Sequence, residues 1–448
     1  MRPESRPRKV SQLVGQGKLS IGDGYRAKNS ELSRSGLPFA RAGNIDGGFN
    51  FEDADCFPEA DLRKVGEKVS KPGDVVFTSK GTVGRFAFVR ESTRPFVFSP
   101  QLCYWRSLDV NSIHPRYLLY WMHGEEFWLQ ADAVKGQTDM ADYVSLTDQR
   151  MMSITLPPID EQRAIAEVLG ALDDKIELNR QMNHTLEEMA SALFKSWFID
   201  FDPVVAKAEG REPFGMDRAT AALFPASLNG ELPTGWTGRV GEDFYSIDKG
   251  VSYKGEFLTD AGKPMINLGC FLGRGRFRAE RIKGYAGEYK PRHVVRPGDI
   301  VMANTDMTQE RLILGSPCVV PDLGAEAAFL FSHHVFAVRL RPDAPAGFRE
   351  YIVLAHQQDS FRERAEGFSN GTTVLGMPAD AVLGAPITFP GAPLIAAFAG
   401  HAAAWRKLRE ANERESRTLT TLRDALLPKL LSGEIRLQNA EKLVGAVL

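Results

Sequence analysis

The chain has 448 residues, of which 43% are hydrophobic and 25% are charged, and its formal net charge at pH 7 is −2. This composition is typical of a globular protein with room for about two to four domains. The near-neutral balance excludes a protein that coats nucleic acid through overall basicity, although basic residues can still be concentrated locally.

The first third of the chain, residues 1–155, predicts a mixed α/β or α+β domain. Short runs rich in Val and Phe lie between Gly and Pro turns, and they predict strands near residues 39–41, 74–78, 85–89 and 102–105. A helical pattern follows at residues 115–122.

A long helix is predicted next, within a central segment at residues 156–235. Its inward positions step by alternating four and three residues, which is the spacing of a coiled-coil seam. Asn residues interrupt this seam in its middle. The seam residues are Ile165, Leu169, Leu172, Ile176, Asn179, Leu186 and Leu193.

The rest of the chain repeats this plan about 233 residues later, so that Thr155 corresponds to Thr388. Residues 199–235 form a Pro- and Gly-punctuated connector, residues 236–388 form the second domain, and residues 389–448 form the second helical region. Its matching seam residues are Phe398, Trp405, Asn412, Leu419 and Leu426. Because both seams are polar at the same level, we expect the two helices to pack together. A helix of about 38 residues is ~57 Å long, which exceeds the ~34–36 Å of one turn of duplex DNA.

The sequence lacks the residue patterns of catalytic and metal sites. The four cysteines form no Cys-x-x-Cys pair, and residues 262–264 do not make a phosphate loop. Residues 202–204 lack the second proline and the aromatic residue of the adenine-methyltransferase motif. His333 and His334 are expected to face opposite sides of a strand, which argues against a shared metal. These absences favour a binding protein over an enzyme.

Membrane and export signals are missing as well. No run approaches the ~18 apolar residues of a membrane span, and the N-terminus has no signal-peptide core. We therefore expect a cytoplasmic protein with no membrane partner.

Several motifs, in their order along the chain, resemble one family. They are Leu-Pro-Pro-Ile-Asp-Glu-Gln-Arg at 156–163, Ser-Trp-Phe-Ile-Asp-Phe-Asp-Pro-Val at 196–204, Leu-Pro-Thr-Gly-Trp at 232–236, Pro-Gly-Asp at 72–74 and 297–299, and Gly-Thr-Thr at 371–373. With the internal repeat, the chain resembles the specificity subunit of type I restriction-modification systems over nearly its whole length. The chain departs from the family pattern in two places. The first domain has no Leu-Pro-x-Gly-Trp opening, so residues 8–10 correspond only to about residues 238–240, and the second helix lacks the Glu-Gln-Arg run at its start.

The resemblance implies a fold and a set of partners. It implies two target-recognition domains separated by an antiparallel pair of long coiled-coil helices, with pseudo-twofold symmetry. Each domain would read one half of a split, asymmetric double-stranded DNA site, and the helices would set the spacing. Two methyltransferase subunits would dock on the chain, and restriction (translocase) subunits would join them. The chain itself would be non-catalytic and without a cofactor, because S-adenosylmethionine, ATP and Mg²⁺ would belong to those partners.

The resemblance also directs attention to polar and basic residues in the loops as candidate DNA contacts. Arg suits guanine and Asn or Gln suits adenine in the major groove, whereas Lys80, Arg274 and Arg276 suit phosphates. In the first domain the candidates are Arg41, Asn44, Thr78, Ser79, Lys80, Thr82 and Arg85. In the second they are Arg274, Arg276, Asn304, Thr305, Asp306, Thr308, Gln309, Arg311 and His333.

Two other functions stay open from the residues alone. One is a DNA methyltransferase with fused recognition domains, which would need the cofactor and Asp/Asn-Pro-Pro-aromatic motifs. The other is a protein-only scaffold, in which the duplicated domains bind protein partners. Binding of S-adenosylmethionine by the isolated chain favours the first, and absence of any preference among duplexes favours the second.

Overall fold

The structure is a computed structural model that describes residues 6–52, 54–135, 142–273, 275–307, 312–324, 328–371 and 374–448. The chain divides into two compact units. Unit 1 comprises Met1–Leu178 with Ser416–Leu448, and unit 2 comprises Asn179–Glu415. The division falls inside both long helices, so each unit combines one predicted recognition domain with part of each helix.

The elements up to the first long helix alternate short strands with short helices. They are β1 Arg6–Lys9, α1 Val10–Gly15, β2 Leu19–Asp23, β3 Leu37–Ala40, β4 Cys56–Phe57, β5 Val75–Thr78, β6 Phe86–Phe88, β7 Val97–Phe98, β8 Leu102–Ser107, α2 Pro115–His123, α3 Glu125–Asp132, α4 Leu146–Met151, β9 Ser153–Leu156 and α5 Ile159–Phe198.

The remaining elements follow a similar order. They are α6 Asp202–Ala208, α7 Arg218–Ala222, β10 Leu228–Asn229, β11 Leu232–Pro233, β12 Thr237–Val240, β13 Tyr245–Lys249, β14 Leu258–Thr259, β15 Lys263–Ile266, β16 Lys283–Tyr285, β17 Val294–Val295, β18 Ile300–Ala303, β19 Thr305–Asp306, β20 Pro317–Val319, β21 Phe329–Phe331, β22 Val335–Leu340, α8 Phe348–Ala355, α9 Asp359–Gly367, β23 Leu375–Gly376, α10 Ala379–Leu383, β24 Pro386–Phe389, α11 Ala392–Ser432 and α12 Leu437–Gly445.

The mixed α/β fold of unit 1 is organised around an antiparallel sheet in the order β2-β8-β5-β6. One face of this sheet packs on α2 and α3 through large apolar side chains such as Phe77, Trp105 and Trp121. The same core includes Leu172 of α5 and Leu426 of α11, so the domain and the helices share one apolar interior.

Unit 2 contains an equivalent sheet in the order β13-β22-β18-β20, with the same pairing register. Val75 lies opposite Trp105 in unit 1, and Ile300 lies opposite Val338 in unit 2. The repeat in the sequence is therefore a repeat of hydrogen-bond register.

Two further strand pairs follow the same rule. β3 runs parallel to β7 and β15 runs parallel to β21, again at equivalent positions. In the separate two-stranded sheets β1-β9 and β12-β24, Arg8 lies opposite Ile154 and Arg239 lies opposite Ile387. The correspondence expected for residues 8–10 is therefore shifted by one residue.

A glycine at the end of β2, and another after β13, permit a close approach of two chain segments. A Cβ atom on Gly24 would lie 1.9 Å from the Ser99 carbonyl oxygen, and a Cβ on Gly250 would lie 2.3 Å from that of Ser332. Any side chain at either position would collide with backbone, so both copies require glycine there.

Both Pro-Gly-Asp sequences form turns that end in an ion pair with the neighbouring strand. In unit 1, Asp74 is fully buried and accepts hydrogen bonds from Arg106 at 2.6 and 2.8 Å. In unit 2, Arg339 donates to Asp299 at 3.0 Å, with 27% and 38% of the two side chains exposed. The same ion pair is thus buried in unit 1 and partly exposed to solvent in unit 2.

This difference predicts unequal effects of the same substitution. Asp74→Asn leaves a buried guanidinium without its main counter-charge and is expected to cost about 3 kcal/mol of unfolding free energy. Asp299→Asn, the matched control, is expected to cost less than about 1 kcal/mol because solvent already screens that pair. Hydrogen exchange of the β5 and β18 amides measures both effects, and equal losses would contradict this explanation.

Candidate nucleic-acid interface

Loops from four parts of the chain meet at one end of the strands of the unit 1 sheet. Because β5 and β8 are antiparallel, β5 ends where β8 begins. The Ser79 amide donates to the Gln101 carbonyl at 3.0 Å, and the Gly81 amide donates to the Asp142 carbonyl at 2.9 Å. The Arg85 guanidinium also reaches the Ala42 carbonyl at 3.4 Å. We call residues 41–46, 79–85, 99–101 and 142–144 the unit 1 loop cluster.

At the same end of the unit 2 strands, the first of these backbone connections is repeated and others are added. The Asn304 amide donates to the His334 carbonyl at 3.0 Å, and the Met377 amide donates to the Asn304 carbonyl at 2.8 Å. Asn370 exchanges two backbone hydrogen bonds with Gly376, each of 3.0 Å. We call residues 304–307, 332–334, 370–371 and 374–377 the unit 2 loop cluster.

Some predicted contacts in unit 1 are buried and hold the loop in shape. Thr78 is 0% exposed and Ser79 is 1% exposed. The Thr78 hydroxyl donates to the Thr82 carbonyl at 2.5 Å and accepts from the Arg85 amide at 3.0 Å. The Ser79 hydroxyl accepts from the Cys103 thiol at 3.2 Å. The assignment of these two side chains to DNA is therefore corrected: burial keeps them from a duplex.

Other predicted residues of unit 1 lie at the surface. Lys80 and Thr82 are exposed, and Arg85 is half-buried beside Asp46, at 3.6 Å. Arg41 is exposed and forms an ion pair with Asp55 at 2.7 Å.

Asn44 has a different role in the same cluster. Its Oδ1 accepts from the Arg41 amide at 2.8 Å, and its Nδ2 donates to the Asn50 carbonyl at 2.9 Å. Both ends of the amide therefore bond within the loop, so we assign Asn44 to loop shape.

Three predicted contacts in unit 2 are also buried: Asn304, Thr305 and Asp306. Asp306 is fully buried, and its carboxylate accepts from the amides of Ile313 and Leu314 at 2.8 and 3.2 Å. As in unit 1, burial overturns direct contact with DNA for these side chains. Asn304 and Asp306 bond to backbone groups, and the Thr305 hydroxyl bonds to the side chains of Asn304 and His334.

The remaining predicted residues of unit 2 differ in position. Arg276 is half-buried and His333 is exposed. Four predictions lie outside the described residues: Arg274, Thr308, Gln309 and Arg311.

The two adjacent histidines lie in a turn between β21 and β22, so the expectation of opposite strand faces was wrong. Their ring centroids are 3.9 Å apart. Within the described part of the chain, no group of three or more His, Cys, Asp or Glu side chains could hold a metal ion.

Sequence reasoning missed residues that reach the clusters from distant segments. Tyr143 is 45% exposed and forms a β-bridge with Lys80. Gln101 is exposed at the turn before β8, at the position that His334 occupies in unit 2. The sequence repeat also aligns Phe98-Ser99 with Phe331-Ser332, and this alignment was the available signal for Gln101. No local pattern indicated Tyr143.

The predicted seam residues line the contact between α5 and α11 inside each unit. In unit 1, Ile165, Leu169, Leu172, Leu419 and Leu426 are buried in one core and Ile176 packs against it. In unit 2, Leu186, Phe398, Asn179 and Asn412 are buried, and Leu193 and Trp405 are partly buried.

The polar part of the seam is a hydrogen-bonded network in unit 2. Asn179 Nδ2 donates to Glu415 Oε2 at 2.7 Å, and Asn412 Nδ2 donates to Asn183 Oδ1 at 2.9 Å. Asn183 Nδ2 lies 3.4 Å from the Arg409 carbonyl. Contacts therefore move backward along α11 as α5 advances, which makes the two helices antiparallel within this unit.

The fold defines a class of chain with two similar mixed α/β units, each of which includes part of both long helices. The family model "Type I restriction modification DNA specificity domain" matches residues 27–188. The specificity subunit of the HindI type I restriction enzyme of Haemophilus influenzae is 26% identical over 84% of this chain and 89% of its own length. The MjaIX specificity subunit of Methanocaldococcus jannaschii is 21% identical over 85% and 82%.

A solved structure, the type I restriction-modification S subunit from M. genitalium, is similar in fold. It has a TM-score of 0.50 and 13% identity and covers 95% of this chain and 96% of its own. Most of the chain is thus similar to specificity subunits of type I restriction-modification systems, and residues 27–188 match the DNA specificity domain of these systems. No described helix is long and apolar enough to cross a membrane.

The burial of Thr78 predicts a contrast between two neighbouring threonines. Thr78→Val removes both hydrogen bonds of the hydroxyl and should lower the opening free energy of the loop by about 1–3 kcal/mol. Thr82→Val keeps its carbonyl bond and has an exposed side chain, so the change should stay within about 0.5 kcal/mol. Hydrogen exchange at the Arg85 amide reports on both variants. Similar protection in both would refute the structural role of Thr78.

Proposed function

We propose that this chain binds a bipartite, asymmetric site in double-stranded DNA, with one half read by each loop cluster. The observation that carries this proposal is that equivalent backbone positions hold different side chains. Gln101 in unit 1 corresponds to His334 in unit 2, and Tyr143 corresponds to Gly376. Two copies of one frame with different exposed chemistry suit two different half-sites.

Basic residues outside the clusters supply the expected phosphate contacts. In unit 2, an exposed basic segment follows β15 and includes Arg281, Lys283, Lys290, Arg292 and Arg296. Such residues fix position on a duplex without reading sequence, and their contribution falls as salt concentration rises. In unit 1 the candidates for phosphate contacts, Lys80 and Arg85, lie within the loop cluster itself.

The proposed partners rest on the similarity to specificity subunits of type I restriction enzymes. We propose that two methyltransferase subunits dock on the chain, that restriction (translocase) subunits join through them, and that the complex acts on DNA in the cytoplasm. S-adenosylmethionine, ATP and Mg²⁺ would be held by those partners. In this arrangement the chain contributes recognition and leaves the chemistry to the other subunits.

We further propose that the long helices set the distance between the half-sites. Helix α5 runs from Ile159 to Phe198, 40 residues, which corresponds to ~60 Å at ~1.5 Å per residue. The buried amides of Asn179 and Asn412, with the partly buried Asn183, would fix one register of the two helices, because any slip leaves buried amides unpaired. A fixed register gives a fixed spacer.

Mapping of modified bases in a genome tests the bipartite site. Cells that carry this chain with its methyltransferase subunit are expected to modify one split motif whose two halves differ. Cells lacking only this chain are the control and should lose that modification. A continuous or palindromic motif would overturn the proposal. If the assembled complex shows no preference for any duplex, the scaffold function is favoured.

A matched insertion tests the role of the helices. One heptad inserted between Leu172 and Leu186, with a second between Trp405 and Leu419, extends the paired helices by ~10 Å. The spacer is expected to grow by about three base pairs, at ~3.4 Å each, while both half-sites stay the same. The control is the heptad inserted in α5 alone, which mismatches the seams and should weaken assembly. An unchanged spacer in an assembled, active double insertion would refute the ruler.

A further inference from the structure

His334 lies at the centre of the unit 2 loop cluster. Its carbonyl anchors the Asn304 amide at 3.0 Å, and its ring lies against that of His333. The equivalent position in unit 1 is Gln101, whose carbonyl anchors the Ser79 amide in the same way. Each unit therefore places one residue with a polar side chain at the tip of the hairpin, with its backbone fixed by the neighbouring loop.

A chain of three hydrogen bonds fixes the chemistry of the His334 ring. Asn304 Nδ2 donates to the His333 carbonyl at 3.0 Å, which turns its Oδ1 toward Thr305. The Thr305 hydroxyl donates its single proton to that Oδ1 at 2.7 Å. His334 Nδ1 lies 3.1 Å from the same hydroxyl oxygen. Because the hydroxyl proton is already used, Nδ1 must carry the hydrogen of this contact.

This assignment leaves Nε2 of His334 as an acceptor. A neutral imidazole has one N–H and one lone pair, and here the N–H is on Nδ1. Burial lowers the pKa of His334, and the neighbouring His333 lowers it further, so the neutral ring is favoured. Among the residues that the structure describes, Nε2 has no protein partner. Asn304 and Thr305 are both buried, so the hydrogen bonds that hold the ring come from buried side chains.

We propose that His334 is a sequence-reading residue for the half-site bound by unit 2, and that its Nε2 accepts a hydrogen bond from an exocyclic amino group of a base. In the major groove these donors are the N6 amino group of adenine and the N4 amino group of cytosine. Guanine and thymine present only acceptors there. Thr305 is the positioning residue, since it acts on the base only through the tautomer and orientation of His334. This inference rests on the proposed function.

The experiment removes single amino groups from the DNA. The full-length chain, assembled with its methyltransferase subunits, is bound to duplexes that carry the target motif. Each adenine in both half-sites is replaced in turn by purine, and each cytosine by 2-pyrimidinone, so that only the exocyclic amino group is lost. At one such position the wild-type complex is expected to bind about tenfold more weakly, because the base no longer donates a hydrogen bond and His334 Nε2 is left without a partner.

Three variants separate the roles. His334→Phe keeps a ring but has no nitrogen, so it should bind the intact target about tenfold more weakly and lose nothing further at that one position. Thr305→Val should reduce the sensitivity to the same amino group. His333→Phe, the matched control, should keep the full sensitivity. Should His334→Phe fail to fold, as judged by its thermal melting, Thr305→Val carries the test.

The outcomes are distinct. The inference is overturned if His334→Phe keeps the wild-type sensitivity at every amino group, or if it weakens binding to target and random duplexes equally. It is also overturned if His333→Phe, rather than His334→Phe, abolishes the sensitivity at one position. A wild-type complex that does not prefer its motif over random duplex would instead refute the proposed function itself.

Discussion

The structure of each unit depends on the register of two antiparallel strands, β5 with β8 and β18 with β22. This register places the end of one strand beside the start of the other. The loop that follows the first strand therefore meets the turn that precedes the second. Two backbone hydrogen bonds then join them: Ser79 to Gln101 in unit 1, and Asn304 to His334 in unit 2. A slip by one residue would turn every side chain to the opposite face and separate these loops.

Within each cluster, polar residues divide into those that shape the backbone and those that remain available to a ligand. Thr78 and Asp306 are buried, and their oxygens bind backbone amides of their own loops. Buried polar atoms without partners are costly, and a loop with short polar side chains provides such partners locally. Residues such as Lys80 and Gln101 belong to the same loops but are exposed. The framework can therefore stay constant while the exposed residues differ between the copies.

The paired helices show how polarity and packing can serve one purpose. Apolar seam residues such as Leu172 and Phe398 join the core of a recognition domain. Asn179 and Asn412 occupy the same seam but bond to amide and carboxylate groups of the opposite helix. Apolar packing stabilises the association, whereas matched amides favour a single register. A seam that was apolar throughout would tolerate more than one alignment.

The amino-acid sequence by itself determined the repeated plan, the mixed α/β class and the seam of the long helices. These features are periodic or local, so spacing alone reveals them: the seven-residue period of Ile165 to Leu193 is an example. It also indicated which loops to examine, because they follow the repeated Pro-Gly-Asp turn.

Only the tertiary structure decided which loop residues are available to a ligand. Thr78 and Lys80 are two residues apart in one loop, yet the first is buried and the second exposed. Tyr143 meets Lys80 from more than sixty positions away, and His334 acquires its tautomer from Asn304 and Thr305, which lie between β18 and β19 and at the start of β19. Burial and hydrogen-bond direction depend on segments that are distant along the chain, and no local pattern of residues specifies them.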